Sequence, residues 1–127
     1  MGVSMYNPLI FDPVDLFDAQ TLTVSGGATP AATSSRTCTE RLTKVNVTVK
    51  NTGASTNVTV SIYAVNESTG GISYVIRPFT LGAGNVTAYT AGCYIEKDAI
   101  PRYLYAVATN SDAANTAIIT VTIDRWR

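Results

Sequence analysis

The sequence predicts an all-β protein, an antiparallel β-sandwich or jelly roll of about seven or eight strands with an extended N-terminal arm. The first observation is strict alternation in residues 42–50 (LTKVNVTVK), where three valines share one face and polar side chains occupy the other. The same period returns in residues 57–65 (NVTVSIYAV) and 116–125 (TAIITVTIDR). The second observation is that turn signals separate these segments at short intervals, which is typical of a sandwich.

Residues 1–19 are predicted to form the arm, and residues 20–127 the β-sandwich domain. Pro8 and Pro13 disfavour a helix, yet the segment is more apolar than a free tail. The arm either lies in a groove of a neighbouring polypeptide or folds back over its own sheet as an edge strand. A short helical turn over residues 13–19, capped by Asp12, is compatible with both interpretations. The arm residues expected to make contacts are Tyr6, Leu9, Ile10, Phe11, Val14, Leu16 and Phe17.

The strands of the domain follow from the alternation and from the breaks between them. Predicted strands cover residues 20–24, 36–50, 57–65, 72–80, 86–90, 102–110 and 116–125. Turns are predicted at residues 51–53, 69–71 and 82–85, and residues 111–115 are expected to join the last two strands as a hairpin loop. Residues 26–35 are small and rich in Gly and Pro, which indicates a loop, and residues 91–101 predict a loop with a helical turn.

The charge of the chain restricts its partners. Nine basic and nine acidic residues cancel, and no segment collects the positive charge that nucleic acid or an anionic membrane requires. We therefore expect neither partner. Only 14% of the residues are charged, so we expect copies of the chain or another protein to cover much of its surface. Lysines that would protect the edges of the sheets are scarce, which predicts edges that accept other strands.

The sequence also restricts the chemistry. The chain contains no histidine, which excludes the commonest nucleophilic triads and imidazole metal ligands. Asp12, Asp15 and Asp18 lack the spacing of a calcium loop, and we interpret them as a helix cap and a solvated face. Glu96 and Asp98 lack the tryptophans that usually line a sugar cleft. We predict that the protein is not an enzyme and has no catalytic residues, cofactor or metal ion.

The N-terminus and the two cysteines indicate where the protein is made. The first residues lack the pattern of a secretory signal and are too broken by Pro and Asp to span a membrane. Cys38 and Cys93 fit no metal or redox spacing. We interpret them as two small buried thiols, in keeping with synthesis in a cytosol, and a disulfide between them is the alternative.

Two further groups are candidates for contacts. Tyr94, Tyr103 and Tyr105 lie on or near the charged loop at residues 91–101, where they form a contact surface or pack on the end of a sheet. Arg125, Trp126 and Arg127 end the last strand as an interface-like cluster, although a tryptophan that caps the core is equally compatible.

The order of segments over residues 20–124 resembles small β-sandwich proteins of tailed-phage virions, such as capsid decoration (cement) proteins. The resemblance lies in a valine-threonine strand pair (TKVNVTVKNTGASTNVTVSIYAV), a glycine-rich turn (TLGAGN) and a closing strand (TAIITVTI), without an invariant motif. It implies a non-enzymatic virion protein that binds the outer capsid, with the arm reaching a neighbouring subunit or the shell. The acidic arm departs from a basic tail that would face the genome.

These observations together predict a structural virion protein, made in the host cytoplasm, that forms homo-oligomers and binds capsid or other protein subunits through its arm and sheet edges. One alternative is a microbial cell-surface or filament subunit that assembles by strand donation. The other is a carbohydrate-binding adhesive β-sandwich that uses Tyr94, Tyr103 and Tyr105.

Overall fold

The computed structural model describes residues 10–24, 30–39, 44–81 and 102–126. Within these ranges the chain forms eight strands and no helix, and no segment there is a helix long and apolar enough to span a membrane. The strands are β1 (Ile10–Leu22), β2 (Ala31–Thr33), β3 (Thr37–Cys38), β4 (Lys44–Asn51), β5 (Val58–Val65), β6 (Tyr74–Leu81), β7 (Tyr103–Asn110) and β8 (Ala117–Trp126).

The strands form two antiparallel sheets that pack as a sandwich, which confirms the predicted fold class. Sheet A has the order β1-β8-β4, and sheet B has the order β2-β7-β5-β6, with β3 also paired to β7. The alternation in the sequence is the reason, because every second side chain of β4, β5, β7 and β8 points between the sheets. β5, β6, β7 and β8 match their predicted segments to within two residues. The single strand predicted over residues 36–50 is wrong, because β3 belongs to sheet B and β4 to sheet A, and β2 lies in the segment predicted as a loop. The strand expected at residues 86–90 lies outside the described residues.

The core between the sheets consists of aliphatic and aromatic side chains from both layers. Sheet A contributes Phe17, Leu22, Val45, Val47, Val49, Ala117, Ile119, Val121 and Ile123, and sheet B contributes Val58, Val60, Ile62, Ala64, Phe79, Leu81, Leu104, Ala106 and Ala108. Full burial of a Val, Leu, Ile or Phe side chain stabilises the fold by about 1.5–3 kcal/mol. The uncharged interior is therefore the main source of stability.

The first strand departs from the prediction. β1 begins at Ile10 and continues to Leu22, so the boundary expected after residue 19 falls inside a strand. The predictions of a helical turn over residues 13–19 and of a first strand limited to residues 20–24 are wrong. Residues 10–19 pair with β8 of their own chain as an edge strand, because Phe17 completes the core of the sandwich and is only 5% exposed. Residues 1–9 lie outside the described residues.

One of the connections between strands differs from the prediction. Residues 66–73 join β5 to β6 within sheet B, as the turn signal at residues 69–71 predicts, and Gly70 and Gly71 adopt positive φ there. Residues 111–116 join β7 to β8, but these strands belong to different sheets. The predicted hairpin is wrong, and the connection instead crosses from one layer to the other, as residues 52–57 do between β4 and β5.

Cys38 is exposed on β3, so the interpretation as a buried thiol is wrong for this residue. The strand is only two residues long and lies on the outer side of β7, where Cys38 pairs with Tyr103. Cys93 and the loop predicted over residues 91–101 lie outside the described residues. The alternative of a disulfide stays a prediction.

Candidate functional site

The outward-facing side of sheet B carries largely hydroxyl, aliphatic and aromatic side chains, and the guanidinium group of Arg36 lies over one end of it. Register arranges ten of the residues that alternation brings to it in three rows across the sheet. We call this surface the outer face of sheet B and define it by Thr33, Thr59, Ser61, Tyr63, Val75, Pro78, Thr80, Tyr105, Val107 and Thr109. None of these ten residues is charged, and a surface depleted in charge is typical of the centre of an interface.

The character of the outer face changes from one end to the other. Thr59 lies between Thr80 and Thr109 in one row, which presents three hydroxyl groups side by side. In the next row Ser61 lies between Pro78 and Val107. Tyr63 lies between Val75 and Tyr105 in the third row, so the face becomes aromatic towards the start of β7.

Tyr105 is held between two neighbours at the aromatic end. Its ring stacks on Tyr63 with 5.2 Å between centroids and 10° between planes, and the guanidinium carbon of Arg36 lies 5.4 Å from its centroid. Arg36 belongs to the segment on one side of β7, whereas Tyr63 belongs to β5 on the other side. Both faces of the Tyr105 ring are therefore covered within the chain.

Arg36 also connects this end of sheet B to the β5–β6 turn. Its Nη1 donates a hydrogen bond of 2.6 Å to the carbonyl oxygen of Glu67. Close by, the backbone N–H of Arg102 donates to Oδ1 of Asn66 at 3.2 Å. The turn is thus attached at two points to the strand ends beside it.

The β5–β6 turn and the start of β6 expose the largest apolar side chains of this region. Ile72 is 90% exposed, Tyr74 50% and Val75 45%. Val75 belongs to the outer face, whereas Tyr74 is the register partner of the buried Ala64 and lies on the other side of β6.

The outer face of sheet A has a different character. Asp15 is exposed there and accepts a hydrogen bond of 2.7 Å from the hydroxyl of Thr122, its partner across the β1–β8 pair. Lys50 and Asp124 are half-buried on the same side of the sheet. Charge on this face makes it a less favourable contact surface than the outer face of sheet B.

Two edge strands carry features that discourage the addition of another strand. β1 contains Pro13 and three register shifts along β8, and Ala19 adopts a φ of 51°. β6 contains Pro78 and a register shift opposite Ile62 and Tyr63. Proline and bulges protect edges as lysine does, so the scarcity of lysine does not by itself leave these two edges open.

The residues predicted to make contacts occupy three kinds of position. Phe17 is a core residue, Leu16 packs partly against the core and Val14 is half-buried, so β1 uses these side chains within its own chain. Ile10 pairs with Trp126 and Phe11 pairs with Arg125 across β1 and β8, so the arm and the last strand meet inside one chain. Tyr103 is half-buried on β7, and Tyr6, Leu9, Tyr94 and Arg127 lie outside the described residues.

Sequence reasoning missed Tyr63 and Arg36. Tyr63 alternates with Thr59 and Ser61, which places it on the outward side of its strand. Its position opposite Tyr105 depends on strand order and register, which a single sequence does not show. Arg36 was predicted as part of a long strand and instead lies between β2 and β3.

The opposite end of the sandwich is built from a polar network that joins the two connections between the sheets. Ser55 donates from Oγ to Oδ1 of Asn110 at 2.7 Å, and Nδ2 of Asn51 donates to the carbonyl oxygen of Ser55 at 3.1 Å. These three residues are buried, and their side chains are satisfied by one another and by backbone groups. The network therefore has a structural role.

Asp112 completes the network on the outside. Hydrogen bonds from the backbone N–H of Thr56 above all, and then from that of Ala114, hold the pKa of Asp112 well below its ordinary value. The side chains of Asn115 and Thr56 also donate to this carboxylate. A carboxylate that accepts so many hydrogen bonds is poorly suited to exchange protons with a substrate. Within the described ranges, no group of three or more Asp, Glu, Cys or His side chains could hold a metal ion.

Comparisons with known proteins bear on the fold. No family model and no curated protein matches the sequence. Among solved structures, the crystal structure of PirA is similar over 91% of this chain and 93% of that protein, with a TM-score of 0.51 and 13% identity. A chain in the structure of infectious bursal disease virus, Gx strain, is similar over 93% of this chain, with a TM-score of 0.58 and 9% identity.

These likenesses support a β-sandwich that extends over most of the chain. The match covers only 32% of the viral chain, so this protein corresponds in fold to one part of a larger polypeptide there. Neither comparison points to tailed phages in particular. The resemblance noted from the sequence is thus supported as a β fold that also occurs in a virus particle.

Proposed function

We propose that this protein is a non-enzymatic structural component of a virus particle, a capsid decoration protein or related head or tail component. It forms homo-oligomers and binds capsid or other protein subunits. The observation that carries the proposal is the outer face of sheet B, whose ten defining residues are all uncharged and include the exposed apolar residue Val75. The likeness in fold to a chain of a virus structure agrees with this role.

The N-terminal segment and the sheet edges are part of the proposal, with their contributions limited by the structure. Residues 1–9 carry Tyr6 and Leu9 and precede a strand that is already paired, so they are the portion of the arm assigned to contacts with other subunits. Phe17 is assigned to the core of its own chain. Since β1 and β6 carry prolines and register shifts, the outer face of sheet B is better suited to subunit contacts than these edges.

The carbohydrate-binding alternative is weaker. A sugar ring binds an aromatic side chain by stacking on an exposed ring face. Tyr105 has one face against Tyr63 and the other against Arg36. The proposal therefore assigns Tyr105 to a protein contact.

Self-association is tested by light scattering after size-exclusion chromatography. We expect the purified chain to have a mass above that of the monomer. Ser61→Lys places a charge in the middle of the outer face of sheet B, and burying that charge in a subunit contact is costly, so we expect this variant to be monomeric. Thr48→Lys is the matched control, because Thr48 is a half-buried hydroxyl on the outward side of β4 in sheet A. A wild-type chain that stays monomeric, or equal effects of the two lysines, would contradict the proposal.

The role in a virus particle is tested separately. An antibody raised against the purified chain is expected to label the surface of purified virus particles from the source of this sequence in electron microscopy. Deletion of residues 1–9 should reduce incorporation into particles while the circular dichroism of the purified domain is unchanged. Absence of the chain from purified particles would overturn the virion role.

A further inference from the structure

We infer that two copies of this chain associate through the outer face of sheet B, with the second copy turned end for end about a two-fold axis that crosses the strands at Ser61. The inference rests on the proposed function, because it takes the contact surface named there and specifies both the partner, a second copy, and its orientation. In such a symmetric contact the same surface serves both copies.

The outer face of sheet B stands higher at one end than at the other. Three small side chains form the threonine row, which consists of Thr80, Thr59 and Thr109. At the other end, two aromatic rings and a valine form the tyrosine row, which consists of Val75, Tyr63 and Tyr105. The stack of the two rings and the contact of Arg36 with Tyr105 hold this bulk in place.

This difference in height decides how a second copy fits. Facing layers pack densely when large side chains of one layer lie opposite small side chains of the other. An axis along the middle row brings Thr59 opposite Tyr63 of the second copy, and Thr109 opposite its Tyr105. An axis along β5 would instead bring rings against rings and threonines against threonines, which would force the two sheets apart at one end. The end-for-end orientation is therefore the one that closes the contact.

The chemistry of the face is compatible with contact to a copy of itself. None of its ten residues is charged, so no like charges meet there. Arg36 lies beside the tyrosine row, and the end-for-end turn places the two Arg36 side chains at opposite ends of the contact. On the axis, Ser61 lies opposite its counterpart. A hydroxyl group both donates and accepts a hydrogen bond, so these two side chains can satisfy each other.

The size of the face corresponds to a small specific interface. β2 and β3 together line β7, so four strand positions lie side by side along strands of eight residues. Strands about 4.8 Å apart with a rise of about 3.3 Å per residue give a face of about 500 Å². Two copies then bury about 1,000 Å², near the lower limit for a specific interface. A contact of this size depends on the fit at both ends.

The fit of the two ends is tested by adding a ring to the threonine row. Thr59→Tyr places a ring where Tyr63 of the second copy lies, so we expect the dissociation constant, measured by analytical ultracentrifugation, to rise several-fold. Thr48→Tyr is the matched control, because Thr48 is a half-buried hydroxyl on the outward side of β4 in sheet A, and we expect no change. Unchanged or tighter association of Thr59→Tyr would overturn the inference, because threonines that face threonines leave room for a ring.

The position of the axis is tested by cross-linking of single cysteines. Ser61→Cys and Thr59→Cys are made separately in chains in which Cys38 and Cys93 are serine, and each is treated with a short bifunctional maleimide. Ser61 lies opposite its counterpart, whereas the two Thr59 residues are about 13 Å apart along the strands. We expect several-fold more cross-linked dimer from Ser61→Cys than from Thr59→Cys, and equal yields would contradict an axis at Ser61.

The inference and the proposed function fail separately. Thr48→Cys in the same background gives the yield of chance cross-links. If the wild type is an oligomer in light scattering but Ser61→Cys yields no more dimer than Thr48→Cys, the end-for-end contact is wrong and the proposed function stands, because another subunit or another orientation then covers the outer face. A wild-type chain that is monomeric overturns both.

Discussion

The ring of Tyr63 lies parallel to that of Tyr105, one strand away, and the guanidinium group of Arg36 covers the other side of Tyr105. Stacked aromatic pairs contribute about 0.5–1.5 kcal/mol beyond the area they bury. In a double-mutant cycle with Tyr63→Leu and Tyr105→Leu, we therefore expect a coupling energy of about 1 kcal/mol from urea unfolding. The cycle with Thr59→Ala and Thr109→Ala, direct register partners without rings, serves as the control. Equal coupling in both cycles would show that the stack adds nothing.

Asp112→Asn is expected to lower the stability at neutral pH and to change how stability depends on pH. The folded state holds the pKa of Asp112 below its ordinary value of 3.8. Its ionised form therefore stabilises the fold above about pH 4, and this contribution is lost as the pH falls below 3.8 towards the folded pKa. Urea unfolding from pH 7 to pH 2 should show the difference between wild type and variant shrinking below pH 4.

Ser111→Ala is the control for this measurement, because Ser111 is an exposed neighbour whose backbone N–H binds the carbonyl oxygen of Asn57. Its side chain makes no described bond to the carboxylate of Asp112. We expect the pH profile of this variant to follow the wild type. A constant difference between wild type and Asp112→Asn down to pH 2 would contradict the assigned role of the charge.

Phe17→Ala is expected to reduce the free energy of unfolding by about 3–5 kcal/mol, since it removes a ring from the core. Asp18 is the next residue along β1 and its side chain is exposed, so Asp18→Ala should change the free energy of unfolding by less than about 0.5 kcal/mol. Thermal and urea unfolding of the two variants measure this. A small effect of Phe17→Ala would mean that residues 10–19 behave as a free arm after all.

Gly53→Ala is expected to destabilise the protein more than Gly70→Ala. A Cβ on Gly53 would lie 2.5 Å from the carbonyl oxygen of Thr116 and 2.7 Å from the backbone nitrogen of Ile118, so the backbone must shift. Gly70 has open space around it but a φ of 66°, which costs alanine about 1–2 kcal/mol. The two melting temperatures check the order, and a reversed order would show that the β4–β5 connection relaxes easily around the added methyl group.

The strands and the core were predictable from the sequence because they depend on a local period of two. Val45, Val47 and Val49 are fully buried, as the alternation requires. The partner of each strand was less predictable. The turn residues 111–115 are compatible with a hairpin, yet β7 and β8 belong to different sheets, because the polar network around Asn110 directs the chain across the sandwich.

The sequence left two interpretations of the arm open, and for residues 10–19 the structure shows the edge strand on the chain's own sheet. Proline in residues 1–19 argues against a helix or a central strand. An edge strand accepts Pro13, because the backbone N–H that proline lacks is not needed for pairing on the outer side of such a strand. The two interpretations of the arm differ only in whether Phe17 finds its contacts inside or outside the chain. Local sequence does not decide that, because the answer depends on the space left between the two sheets.

The side-chain and backbone bonds of Asn110 gather three separate stretches of chain at one end of the sandwich, those around Leu22, Ser55 and Asn115. At the tyrosine end, the bonds from Arg36 to Glu67 and from Arg102 to Asn66 are exposed to solvent. Under heat or denaturant, the two sheets should therefore separate first at the tyrosine end. The end held by the hydrogen bonds of Asn110 should separate last. In hydrogen exchange, amide hydrogens near the start of β7 should be replaced by deuterium sooner than those at the end of β7.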